Sequence, residues 1–214
     1  MSTINGKACV VNGTPVDKVF SDGRQVYSRN LLADSSFESG KNPANYTWGD
    51  LKMEDRTFSV TAGPDATFPQ PMGKFMLEVA NFSADTATIL NQDQYVQYSI
   101  TPVLIKKGET WTYSYYYASA GSATGQASDF LLSTDFSPIF ELSMGQLSRD
   151  ISGDQTTWHR FVKTWTADRD VTVTTLRFGF IKTSASPSWI CIDNIKLEQN
   201  TAVSPWTPAP EDVM

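Results

Sequence analysis

Residues 110–121 read TWTYSYYYASAG and place one tryptophan and four tyrosines within the seven positions from Trp111 to Tyr117. A β-strand turns alternate side chains to opposite faces. Divided that way, one row holds Trp111, Tyr113, Tyr115 and Tyr117, bulky enough to fill the space between two sheets. The other row holds Thr112, Ser114 and Tyr116, then Ala118. The alternation predicts a strand whose first row is core, leaving Tyr116 as the outward aromatic on a polar face.

The same period of two recurs along the chain, in 75–83, 95–100, 129–136, 158–167, 174–182 and 188–198. Between these runs lie turn-forming clusters such as TAGPDATFPQPMG, KKGE, ASAGSATGQAS and KTSASPS. No long stretch carries the period of an amphipathic helix. The chain is therefore expected to be all-β, an antiparallel sandwich or barrel.

The 214 residues suit one domain with appendages. A balance of 40% hydrophobic and 19% charged residues is that of a globular chain. The net charge is −6, and no basic run is present to neutralise phosphates, so nucleic acid is not an expected partner. Neither a signal peptide nor a membrane-spanning apolar run is apparent. Cys9 and Cys191 stand far apart in apolar strands and read as free thiols; His159 is the sole histidine.

The two ends differ from the middle. In the first 29 residues short β runs break at Asn5-Gly6, Asn12-Gly13 and Asp22-Gly23, and KVFSDGRQVY reads as a hairpin. This N-terminal β-hairpin arm is too small for its own core, so it packs on the body or pairs with another chain. Residues 30–199 form the main module. Residues 200–214, rich in proline, read as a tail that Trp206 pins to the body.

The ordered set NLLADSSFESG (30–40), QYSITPVLIKKGETWTYSYYYAS (97–119), TTWHRFVKTWTA (156–167) and WICIDNIKLEQNTAVSPWTPAPED (189–212) resembles a known family. It is similar to the jelly-roll carbohydrate-binding modules appended to cellulases and xylanases, and to their versions in tail proteins of phages infecting Gram-positive bacteria. The opening Asn-Leu-Leu…Phe-Glu and the closing Ile-Asp-Asn-Ile-Lys-Leu match the two ends of that module, and the arm and tail look like phage structural proteins. The resemblance implies an antiparallel jelly-roll β-sandwich of about eight to ten strands. It further implies a concave outer face that binds glycan, and a non-catalytic role in recognising host cell-wall polysaccharide during adsorption. The chain would then reside in the virion, with the arm meeting other tail proteins.

Alternation nominates the residues of that face. In 95–100 the outward set is Tyr95, Gln97 and Ser99; in 174–182 it is Thr175, Arg177 and Gly179. If these strands share a sheet with Tyr116, then Tyr116, Gln97 and Arg177 form one site, a ring for the C–H face of a pyranose and donors for its hydroxyls. Tyr46 and Trp48 are candidate walls, although Trp48 also fits a strand start packed on the edge of the core. Solvated positions without ligand remain the plain alternative for each residue.

Related modules hold a structural calcium ion near the first strand. The matching positions are Glu38 and Asp193, with backbone oxygens around Ser36. Two carboxylates, carbonyls and water suffice chemically for calcium. Catalysis finds little footing: no Gly-x-Ser-x-Gly turn accompanies His159, no histidine cluster exists, and no spacing singles out a carboxylate pair. A purely structural virion protein is the second reading and a glycan hydrolase the third.

Overall fold

A computed structural model describes residues 9–40, 47–48, 56–61, 72–81, 95–121, 125–133, 149–150, 157–182 and 188–212. Ten strands form two five-stranded antiparallel sheets. The first, called the β8 sheet, runs β11 (Arg149–Asp150), β10 (Gly125–Ser133), β13 (Val171–Lys182), β8 (Tyr95–Ile105), β5 (Thr47–Trp48). The second, the β9 sheet, runs β12 (His159–Thr166), β9 (Thr110–Gly121), β14 (Ser188–Glu198), β7 (Met76–Asn81), β6 (Arg56–Thr61). From β7 onward the chain passes repeatedly from one sheet to the other, the winding of a jelly roll.

One core serves both sheets. Val103, Ile105, Val173 and Leu176 come from the β8 sheet; Leu77, Trp111, Tyr113, Tyr115, Phe161, Ile192 and Leu197 come from the other. Tyr115 packs its ring 5.0 Å from Phe161 and 5.6 Å from Tyr113. Each such side chain contributes ~1.5–3 kcal/mol by leaving water. Trp111, Tyr113 and Tyr115 are buried, with Tyr117 packed at the edge of the cluster, so the alternation in 111–117 fills the interior.

The cluster ASAGSATGQAS is not a loop throughout. β9 continues through Gly121 and β10 starts at Gly125. Small residues with weak strand propensity are held extended by neighbours, as Ser119 pairs with Ile190 and Ala120 with Trp189.

The arm contains two hairpins, β1 (Val10–Val11) with β2 (Thr14–Pro15), and β3 (Lys18–Ser21) with β4 (Arg24–Ser28). Both turns take positive φ at two successive residues, Asn12 and Gly13, then Asp22 and Gly23. That geometry matches strand twist and suits Asn-Gly and Asp-Gly. Tyr27 is buried, and its hydroxyl accepts from the Cys9 amide at 3.2 Å.

Asn30 ties the start of the module to its end. Its Nδ2 donates to Ser35 Oγ (2.8 Å) and to the carbonyls of Ile195 (3.0 Å) and Thr207 (3.2 Å). Its Oδ1 accepts from the amides of Leu32 and Leu197. Trp206 donates from its indole to the Ile195 carbonyl at 3.3 Å. Among the described residues no helix is long and apolar enough to cross a membrane.

Candidate functional site

Part of the outer face of the β9 sheet, around Thr112 and Ser114, is covered by the chain itself. Thr112 and Ser114, in the row expected to meet solvent, are buried. The tail covers them: Thr112 Oγ1 donates to the Asn200 carbonyl at 2.9 Å, and Arg160 Nη2 donates to the Ser204 carbonyl at 2.7 Å. Lys196 and Glu198, two residues apart on β14, form a wholly buried ion pair at 3.6 Å. Ser204 joins both, accepting from Lys196 Nζ (2.7 Å) and donating to Glu198 Oε2 (2.6 Å). Burial lowers the Lys196 pKa to about 8 against the pull of Glu198.

Tyr116 lies in this covered region. It is half-buried between Arg160 of β12 and Asp193 of β14, with the Arg160 guanidinium 5.3 Å from its ring centroid. A cation over an aromatic face is a stabilising arrangement, and it takes up a face a sugar would need. The grouping of Tyr116 with Gln97 and Arg177 is therefore corrected: the chain alternates between sheets, which sends β9 to the opposite side of the sandwich from β8 and β13.

Gln97 and Arg177 are brought together. They are Cα partners across β8 and β13, and the same row continues to Thr47 of β5 and Phe130 of β10. The neighbouring row pairs Tyr95 with Gly179, and the next Ser99 with Thr175. The two outward sets thus coincide pair by pair in register. Ser99 is exposed, whereas Thr175 is buried, a departure from the solvated position expected for it.

Trp48 occupies a different row. It opposes Val96, one position out of phase with Gln97, and ends the short edge strand β5. Tyr46 lies outside the described residues. Phe130 was not singled out from sequence. Only strand pairing, which the sequence does not carry locally, makes it a neighbour of Arg177. His159 is exposed on β12 with its ring 5.5 Å from Tyr117. Cys191 is a buried free thiol, its pKa pushed well up by burial and by the nearby acids Glu78 and Asp193.

Glu38 and Asp193 meet around the loop that precedes β7. Asp193 is fully buried; its Oδ2 accepts from the Met72 amide (2.9 Å) and its Oδ1 from the Asn194 amide (2.6 Å). Glu38 Oε1 accepts from the amides of Lys74 (2.7 Å) and Phe75 (3.2 Å). Burial raises the Asp193 pKa to about 7, the two amides oppose the rise, and the Glu38 charge adds to it. Among the described residues neither acid forms an ion pair, and no group of three or more His, Cys, Asp or Glu side chains is assembled. Ser36 is buried in the adjoining turn, where Phe37 and Asp34 take positive φ, as does Asn194 across from it. Carboxylates are the ligand type a hard divalent cation takes, and here Asp193 Oδ1 and Oδ2 and Glu38 Oε1 accept backbone amides.

No protein-family model matches the chain, and no curated sequence matches it. Solved structures do. An arabinose-bound α-L-arabinofuranosidase (MgGH51) superposes with a TM-score of 0.52 at 15% identity, over 79% of this chain and 26% of that one. The chain thus corresponds to about a quarter of that enzyme, and the likeness is one of fold. The xylan-binding domain CBM22-1 of Paenibacillus barcinonensis Xyn10C gives a TM-score of 0.42 at 11% identity, over 77% and 92% of the two chains. TmCBM61 in complex with β-1,4-galactotriose gives 0.42 at 14% identity, over 81% and 100%.

Proposed function

We propose that the chain is a non-catalytic carbohydrate-binding module whose glycan-binding surface is the outer face of the β8 sheet. The observation that carries this reading is the register row of Thr47, Gln97, Arg177 and Phe130 across the β8 sheet. An amide, a guanidinium and a hydroxyl can bond sugar hydroxyls, and an aromatic position in the same row suits the C–H face of a pyranose. Tyr95, opposite Gly179, adds a second aromatic position next to that row.

The resemblance to phage tail modules supports the finer reading: the chain belongs to a phage tail, binds host cell-wall polysaccharide during adsorption, and attaches to neighbouring tail proteins through its arm. Val11, Phe20 and Val26 are apolar and exposed on the two arm hairpins, as an attachment surface requires. Glu38 and Asp193, with backbone oxygens near Ser36, would hold one structural calcium ion that neutralises the acid pair.

Fusion to a fluorescent reporter tests the reading. The fusion decorates Gram-positive host cells and binds their purified wall polysaccharide, while deletion of residues 1–29 leaves sugar binding intact and abolishes virion incorporation. Absence of binding to any host wall glycan would return the protein to the structural reading.

A further inference from the structure

All three polar groups of Ser204 are met by side chains of the sheet beneath it. Its amide donates to Glu198 Oε1 at 2.9 Å, and its hydroxyl lies between Lys196 Nζ (2.7 Å) and Glu198 Oε2 (2.6 Å). Its carbonyl accepts from Arg160 Nη2 at 2.7 Å. Lys196 Nζ donates as well to the Pro205 carbonyl at 2.8 Å, and Pro205 brings no N–H that would need a partner. Residues 199–209 form no strand, so these side chains hold the backbone in place of a ladder. Lys196, Glu198 and Arg160 thus make a seat fitted to a Ser-Pro dipeptide, with the ion pair wholly buried under it.

The chain reaches that seat by reversing on itself. β14 ends at Glu198, and six residues later Ser204 is bonded to the carboxylate of that same Glu198. Asn200 is anchored by Thr112, so Thr201–Val203 is the link between the two anchors, and Thr201 and Ala202 are exposed. Past the seat the strap meets the body again, where Trp206 donates to the Ile195 carbonyl and Asn30 donates to the Thr207 carbonyl. Pro205 and Pro208 fix φ in the strap, so little freedom is lost when it lies down on a matching surface.

We propose that the seat also takes the strap of a second copy of this chain: two copies exchange residues 203–212, each Ser204 lying on the other's Lys196, Glu198 and Arg160. The segment that fits the seat is carried by every copy. Exchange reproduces each contact at Ser204, Pro205, Trp206 and Thr207, and only the exposed link changes shape. The short tether favours closure within one copy at low concentration, and crowding of copies favours exchange. The strap lies on the β9 sheet, away from Gln97 and Arg177, so exchange leaves the glycan row in place.

Deleting Thr201 and Ala202 from the full-length chain leaves Val203 alone to make the return, and light scattering then reads a dimer in which the Ser204 amide stays protected from hydrogen exchange. Lengthening the link by four Gly-Ser residues gives a monomer with the same protection. Should the shortened chain not fold, a labelled peptide of residues 199–212 is titrated into the full-length Ser204→Ala variant, whose own strap is weakened. The peptide binds, and the same peptide carrying Ser204→Ala binds about tenfold weaker or less, as loss of hydrogen bonds to charged groups requires. A monomeric shortened chain, a dimer whose Ser204 amide exchanges freely, or equal binding of the two peptides would each overturn the proposal.

Discussion

Gln97 and Arg177 stand as Cα partners on adjacent antiparallel strands, although the whole of β9, β10 and β12 lies between them in sequence. Their row runs across the β8 sheet, whereas the tail contact at Thr112 lies on the other sheet. The first prediction follows from that pairing. Arg177→Ala and Gln97→Ala each weaken binding to wall polysaccharide by about tenfold, the value of one or two lost hydrogen bonds, without moving the melting temperature. Tyr116→Phe, on the opposite sheet beneath Arg160, leaves binding unchanged. Titration calorimetry with purified polysaccharide reads both outcomes; a loss confined to Tyr116→Phe would move the site to the other face.

The acid pair makes stability depend on pH in a defined direction. Asp193 titrates near 3.8 when unfolded and at about 7 in the native state. Between those values the native state binds more protons than the unfolded one, so stability falls as pH rises through that window. Calcium at the proposed site would bind the ionised form and reverse the fall. The metal-free protein therefore unfolds at lower denaturant at pH 7.5 than at pH 5, and calcium closes the gap. At calcium about a hundredfold above its Kd the melting temperature rises by roughly 5–10 °C. Glu38→Ala removes that rise. So does Gly73→Ala, because a β-carbon there collides with Glu38 Oε1. A calcium-independent melt at both pH values would show that the acids bind no cation.

Much of the sandwich was legible because strand alternation is a local property. Trp111, Tyr113 and Tyr115 sort to the interior by counting alone, and the Asp22-Gly23 turn announces the hairpin by its chemistry. What covers a strand is not local. Thr112 and Ser114 look solvated in sequence and become buried only because residues near Asn200 and Ser204 return over them. Strand adjacency is not local either, so Gln97 and Arg177 could be sorted outward but not paired, and Tyr116 was grouped with the wrong sheet. Glu38 and Asp193 came together from opposite ends of the module through resemblance, since nothing in their spacing brings them close.

Asn30 makes five hydrogen bonds that join the opening of the module to β14 and the tail. Its replacement by alanine strands buried carbonyls and amides, each costing ~1–3 kcal/mol. Asn30→Ala destabilises the protein by about 3 kcal/mol or more. Asn30→Asp is no milder, because an acceptor replaces the donor aimed at Ile195 and Thr207. Urea unfolding of the variants measures both.

The ion pair of Lys196 and Glu198 yields the sharpest contrast between single and double substitution. Removing one partner leaves a buried charge without its counter-ion, at a cost of ~3–5 kcal/mol. Lys196→Met and Glu198→Leu are each destabilising on that scale, and both loosen the tail by removing a partner of Ser204. The double variant removes both charges and their desolvation cost, so it unfolds at higher urea than either single variant. Limited proteolysis separates fold from latch: cleavage after residue 199 accelerates in both single variants and also in the double, where Ser204 keeps neither side-chain partner. A double variant as unstable as the sum of the singles would mean that the two charges do not act as a pair.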